Sequence, residues 1–86
     1  MTPTPEESRA MKNNILAHLK QCDENKISKT EWPYQEVAVA FHAGAHPGYG
    51  EKVHWNEFDP WAKKLGWKVY SKDNTPHSDI IFERLL

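Results

Sequence analysis

The sequence predicts a small α+β domain, with helices first and a β-hairpin at the C-terminal end. Three stretches carry that expectation. Met11, Ile15, Leu19 and Cys22 recur at steps of four, four and three, which is the apolar stripe of an amphipathic helix. From residue 53 to 71 the apolar period changes. Trp55, Phe58, Ala62 and Leu65 keep helical spacing, and then Trp67 and Val69 alternate with Lys68 and Tyr70 as a strand requires. Residues 79–86 close the chain with a second strand pattern, after the turn-rich run Lys-Asp-Asn-Thr-Pro-His-Ser.

Each element can be justified in order. Thr4 is placed to cap the first helix, Pro5 suits its first position and Glu7 completes a capping box. The two acids Glu6 and Glu7 also suit the positive end of the helix dipole. The helix is expected to end near Cys22, where Asp23-Glu24-Asn25 interrupts the stripe. Residues 27–30 read as a connector or a one-bridge strand.

Residues 33–43 allow two readings. Tyr34, Val37, Ala38 and Phe41 fit a helical face, while Val37, Val39 and Phe41 alternate with small or polar neighbours as in a strand. Pro33 before the run and Gly44 after it favour the helix. With helix, the order is three helices and a hairpin, which is the order of a winged helix. With strand, it is an α-β-α-β-β sandwich. Residues 44–52, rich in glycine, read as a loop. In the next helix Asn56 is expected to cap with Asp59 three residues on, Pro60 to fall in the first turn and Gly66 to terminate it. Ile80 and Phe82 then lie on one side of the last strand, and Ile81 and Glu83 on the other. Apolar residues on both sides imply a strand covered by its sheet or by a partner.

An 86-residue chain has room for one domain, residues 1–86 with 1–3 as a loose lead-in, and one modest core. Four Trp, three Tyr and three Phe supply buried area economically and argue against disorder. A formal net charge of −1 disfavours both a strongly basic nucleic-acid binder and an acidic mimic of nucleic acid. A single cysteine, with no signal peptide and no apolar membrane run, points to a reducing, cytoplasmic setting without a membrane partner.

The residues that carry chemistry are scattered. His42, His46 and His54 surround the glycine-rich stretch, but no cysteine pair or His-Glu-x-x-His spacing accompanies them, so no metal or other cofactor is expected. His18 and Cys22 are one helical turn apart; Cys22 continues the apolar stripe and reads as a small buried hydrophobe. No phosphate-binding fingerprint or nucleophile motif occurs, so no catalytic residue is assigned and an enzyme is not expected. From residue 52 onward Lys52, Lys63, Lys64, Lys68, Lys72 and Arg84 face Glu57, Asp59, Asp73, Asp79 and Glu83, one net positive charge. In a winged-helix arrangement Lys63, Lys64, Lys68 and Lys72 would surround the recognition helix and wing and form the nucleic-acid-binding set.

Leu65-Gly66-Trp67-Lys68-Val69, followed by Thr75-Pro76-His77 and a strand, resembles part of the HicA-type messenger-RNA-cleaving toxins. The resemblance covers about a quarter of the chain. It implies a catalytic role for the turn histidine, here His77. The family's Gly-Ser before that histidine is Thr-Pro in this chain, and the segment lies at the C-terminal end where the family carries it near the front.

The leading expectation is therefore a non-enzymatic interaction module that binds and modulates a larger macromolecule, a protein before a nucleic acid. Trp32, Tyr34, His46, Tyr49 and Trp55 are its expected partner-binding residues, since Tyr and Trp are common interface anchors. A mobile-element-encoded inhibitor or regulator of nucleic-acid machinery is one version. A DNA-binding regulator of winged-helix type is the alternative, and a small ribonuclease using His77 is the second.

Overall fold

The computed structural model describes residues 3–46, 50–73 and 78–85. Helix α1 runs over Pro5–Glu24 with the expected cap: the Glu7 N–H donates to Thr4 Oγ1 at 3.1 Å, and the Thr4 N–H donates to Glu7 Oε1 at 3.0 Å. It continues two residues past the end of its apolar stripe. Lys26, at φ 57°, then reverses the chain, and the Ile27 N–H closes back on the Cys22 carbonyl at 2.8 Å. The connector becomes a real strand, β1 (Lys29–Trp32).

The ambiguous run is a helix, as its end signals favour, and the strand reading of Val37, Val39 and Phe41 fails. Helix α2 occupies Tyr34–Ala40, burying Tyr34, Val37, Ala38 and Ala40, and strand β2 (His42–His46) starts two residues later. Burial of adjacent Val37 and Ala38 is what a helix face gives and an alternating strand does not. The expected loop at 44–52 is corrected to a hairpin, in which β2 pairs antiparallel with β3 (Gly50–Val53). The pairing shifts between His42↔Val53 and Ala45↔Glu51, so Ala43 and Gly44 together oppose Lys52. Gly44, at φ 108°, supplies the backbone conformation that such a bulge needs. Glycines that read as a loop signal thus serve a bulged strand.

Helix α3 spans Trp55–Lys64 and also differs from expectation at its start. His54, not Asn56, is the N-cap residue, and Pro60 lies inside the helix and not in its first turn. The hairpin sets this start. His54 donates its N–H to the Phe41 carbonyl at 2.6 Å, and its own carbonyl accepts from Glu57 and Phe58 at 3.1 and 2.9 Å. Gly66, at φ 88°, ends the helix as expected and leads into β4 (Trp67–Ser71). Strand β5 (Ile80–Arg84) completes the chain.

The result is a small α+β domain of three helices and five strands in two antiparallel sheets among the described residues. The larger sheet has the order β1-β5-β4, so the last strand lies in the middle. Ile80 and Phe82 of β5, with Trp67 and Val69 of β4, face a core that takes Ile15 and Leu19 from α1, Val37 from α2 and Phe58 and Ala62 from α3. All three helices therefore contribute to the same face of the sheet. Ile81 is only 3% exposed yet stands outside that core cluster, on the other face.

Candidate interaction surfaces

Three of the aromatic residues expected at an interface have described side chains, and two of them serve mainly the fold. Tyr34 is 8% exposed, and its hydroxyl accepts the Val53 N–H at 3.1 Å, tying α2 to β3. Trp32 is half-buried against the core, with its ring 4.9 Å from that of His18. Its indole Nε1 is buried with no hydrogen-bond partner. His18 Nε2 sits 2.7 Å from Thr30 Oγ1 and 3.7 Å from the buried Cys22 Sγ, a packed junction between α1 and β1. Trp55 is the one that reaches an opening. It is half-buried, its ring lies 5.5 Å from that of Phe58, and it lines an open cleft of about 230 Å³ with Ala43, Lys52, Val53, His54 and Asn56. His46 pairs with Gly50 in the hairpin beside that cleft. Tyr49 and His77 lie outside the described residues.

The cleft follows from local structure. The bulged hairpin delivers Lys52 and Val53 to its wall, and the immediate turn into α3 places His54, Trp55 and Asn56 opposite. Val53 anchors one side, being 5% exposed, while Lys52 reaches solvent. The sequence marks Trp55 and the 44–52 stretch that ends in Lys52, and the structure adds His54 and Asn56 to the cleft lining. The direct step from strand to helix at His54 would have revealed them, and it was hidden by reading 44–52 as loop.

The four lysines of the alternative reading do not form one patch. Lys63 and Lys64 are exposed on α3, and Lys63 is held by Asp59 one turn away at 3.0 Å. Glu57, also exposed on α3, reaches Lys12 of α1 at 3.5 Å. The solvent side of α3 is thus balanced in charge. Lys68 and Lys72 belong to the opposite side of the sheet layer, because Trp67 and Val69 take the inward positions of β4. Lys72 pairs with Glu31 of β1 at 3.2 Å.

That helix-free side has an order of its own. The register places Lys29, Glu83 and Lys68 in one row across the three strands, and Glu31, Ile81 and Tyr70 in the next. The Tyr70 hydroxyl donates to Glu83 Oε2 at 2.8 Å, which holds the phenol protonated and raises its pKa. The Glu31 carboxylate beside Lys72 likewise raises the pKa of the ammonium. The Lys72–Glu31 pair joins the strands on either side of Ile81, and Tyr70 is directly paired with it, which explains an outward residue that is nonetheless buried.

Among the described residues no group of three or more His, Cys, Asp or Glu side chains is gathered so as to hold a metal ion. Nor is any described helix long and apolar enough to cross a membrane. No protein-family model, no curated protein and no solved structure matches the chain, so the geometry alone supports a reading of its function.

Proposed function

We propose that the chain is a cytoplasmic, non-enzymatic interaction module that binds and modulates a larger protein through the β2–β3 hairpin and the cleft at the start of α3. One observation carries the reading: a two-stranded sheet, which no third strand extends among the described residues, stands beside an open cleft lined by Lys52, His54 and Trp55. A short hairpin that no third described strand extends offers backbone groups to a partner strand, save at Val53, whose N–H the Tyr34 hydroxyl already accepts. A half-buried tryptophan at a cleft wall offers the rigid aromatic contact on which interfaces concentrate their affinity.

The test is affinity capture on the immobilised full chain from lysate of the source cell, with and without nuclease, repeated with Trp55→Ala and Lys52→Glu. The expected result is a protein that survives nuclease and is lost with both variants. Capture unaffected by either variant would remove the hairpin and cleft from the reading.

The second reading, a DNA-binding regulator, is favoured by the arrangement of three helices with a β4–β5 pair, the sheet being completed by β1. It requires duplex binding that weakens steeply with salt and is lost in Lys64→Glu combined with Lys68→Glu. The charge pairing of Lys63 and Lys72 makes it the weaker of the two.

A further inference from the structure

The exposed large hydrophobic residues of the described chain are two, Ile27 at 44% and Leu85 at 43%. They are far apart in sequence, yet each lies just beyond the end of one of two paired strands, β1 and β5. The Arg84 N–H donates to the Ser28 carbonyl at 2.8 Å, which extends the β1–β5 pairing beyond Lys29↔Glu83. Continued one step further, the same register matches Ile27 with Leu85. Continuing the strand alternation past these ends assigns both to the helix-free face, next to the row formed by Lys29, Glu83 and Lys68.

The charges of this face are unequal in their availability. Glu83 already accepts from the Tyr70 hydroxyl, and Glu31 is already paired with Lys72. Lys29 and Lys68 are exposed and have no ion-pair partner among the described residues; Lys68 instead lies 5.6 Å from the centre of the Tyr70 ring. The face thus presents an apolar pair beside two ammonium groups without ion-pair partners among the described residues, with the Glu83 carboxylate between them, so that row carries one net positive charge.

We propose that this face, centred on Ile27 and Leu85 and flanked by Lys29 and Lys68, docks an acidic protein segment carrying an apolar side chain. It goes beyond the hairpin-and-cleft reading and uses the other side of the sheet. Carboxylates on the partner complement Lys29 and Lys68 and set its register, while the apolar contact excludes water. A nucleic-acid backbone satisfies the lysines but leaves Ile27 and Leu85 without a counterpart. A second copy of the chain is disfavoured by its own charges. A two-fold axis along β5 exchanges the flanking strands, bringing Lys29 over Lys68 and Glu83 over Glu83.

The experiment is a titration of the isotope-labelled full chain, followed by amide NMR, with three probes: a short peptide alternating Asp or Glu with Leu, the same peptide with Lys replacing the acids, and a short DNA duplex. The expected result is shifts at Ile27, Lys29, Lys68, Glu83 and Leu85 with the acidic peptide alone. Binding should weaken roughly tenfold or more in Lys29→Glu/Lys68→Glu, and equally in Ile27→Ser/Leu85→Ser. The two double variants alter exposed positions by different chemistry, so either one that keeps the native spectrum suffices. Trp55→Ala on the hairpin side should leave this binding unchanged. The proposal is overturned by no response at this face, by an equal response to the lysine peptide, by preferential binding of the duplex there, or by self-association through the same amides.

Discussion

Trp67 has no exposed surface, packs in the central core and carries the Arg84 guanidinium 4.8 Å above its ring. Truncation to Ala should therefore cost about 3–5 kcal/mol, read as a lower urea midpoint. An unchanged midpoint would mean that the indole is not enclosed. Tyr34 makes a finer test, because Tyr34→Phe keeps the ring and deletes the hydroxyl that accepts the Val53 N–H. A buried donor left without a partner costs about 1–3 kcal/mol, so the variant should melt earlier and exchange the Val53 amide faster. The inward place of Trp67 was legible from its alternation with Lys68. The partner of the Tyr34 hydroxyl was not, since Val53 lies on a strand that composition disguised as loop.

The elements differ in how much of each the chain announces locally. Helix α1 has its cap, its first-turn proline and its stripe within one continuous segment, so both its existence and its start were readable. Helix α3 carries an equally clear face but starts where the hairpin delivers the chain, and this puts Pro60 in its interior. Proline there removes the bond to the Asn56 carbonyl and crowds that carbonyl. Pro60 is exposed, so Pro60→Ala has no packing to lose and should stabilise the domain by about 1–3 kcal/mol, measured as a higher melting temperature. A lower melting temperature would show that the proline is required for the junction at His54. The β2–β3 hairpin was the element least visible. Glycine and proline mark a turn and a bulge with the same residues, and only the pairing of Ala45 with Glu51 distinguishes them.

Across the whole molecule, the helix-free face links all three strands of the larger sheet through Tyr70–Glu83 and Lys72–Glu31. Both Tyr70 and Lys72 have folded-state pKa values above their ordinary 10.0 and 10.5. The folded protein holds these protons more tightly than the unfolded chain does. Their contribution to stability is thus complete below those ordinary values and is lost as pH rises through the folded ones. Denaturation midpoints should fall on the alkaline side, above pH 10.0, and fall less in Tyr70→Phe combined with Glu31→Gln. An identical alkaline profile in wild type and double variant would exclude this network as the cause. The same architecture bears on partners: it divides Lys63 and Lys64 from Lys68 and Lys72 and leaves the hairpin cleft and the sheet's outer face as two separate surfaces.

By itself the sequence determined the α+β class, the capped first helix, the aromatic face of the third and the inward alternation of the final strands. These are local matters, set by periodicity and by end signals within a few residues of one another. Only the tertiary structure decided that β1 joins β5, that β2 and β3 pair, and that the backbone bond from Arg84 to Ser28 carries the pairing past the end of β1. Each of those brings together residues from separate parts of the chain, and their register depends on backbone hydrogen bonds that every residue type except proline can make. Side-chain pattern can show which face of a strand is buried. It does not name the strand's neighbour, and here the neighbours create both candidate surfaces.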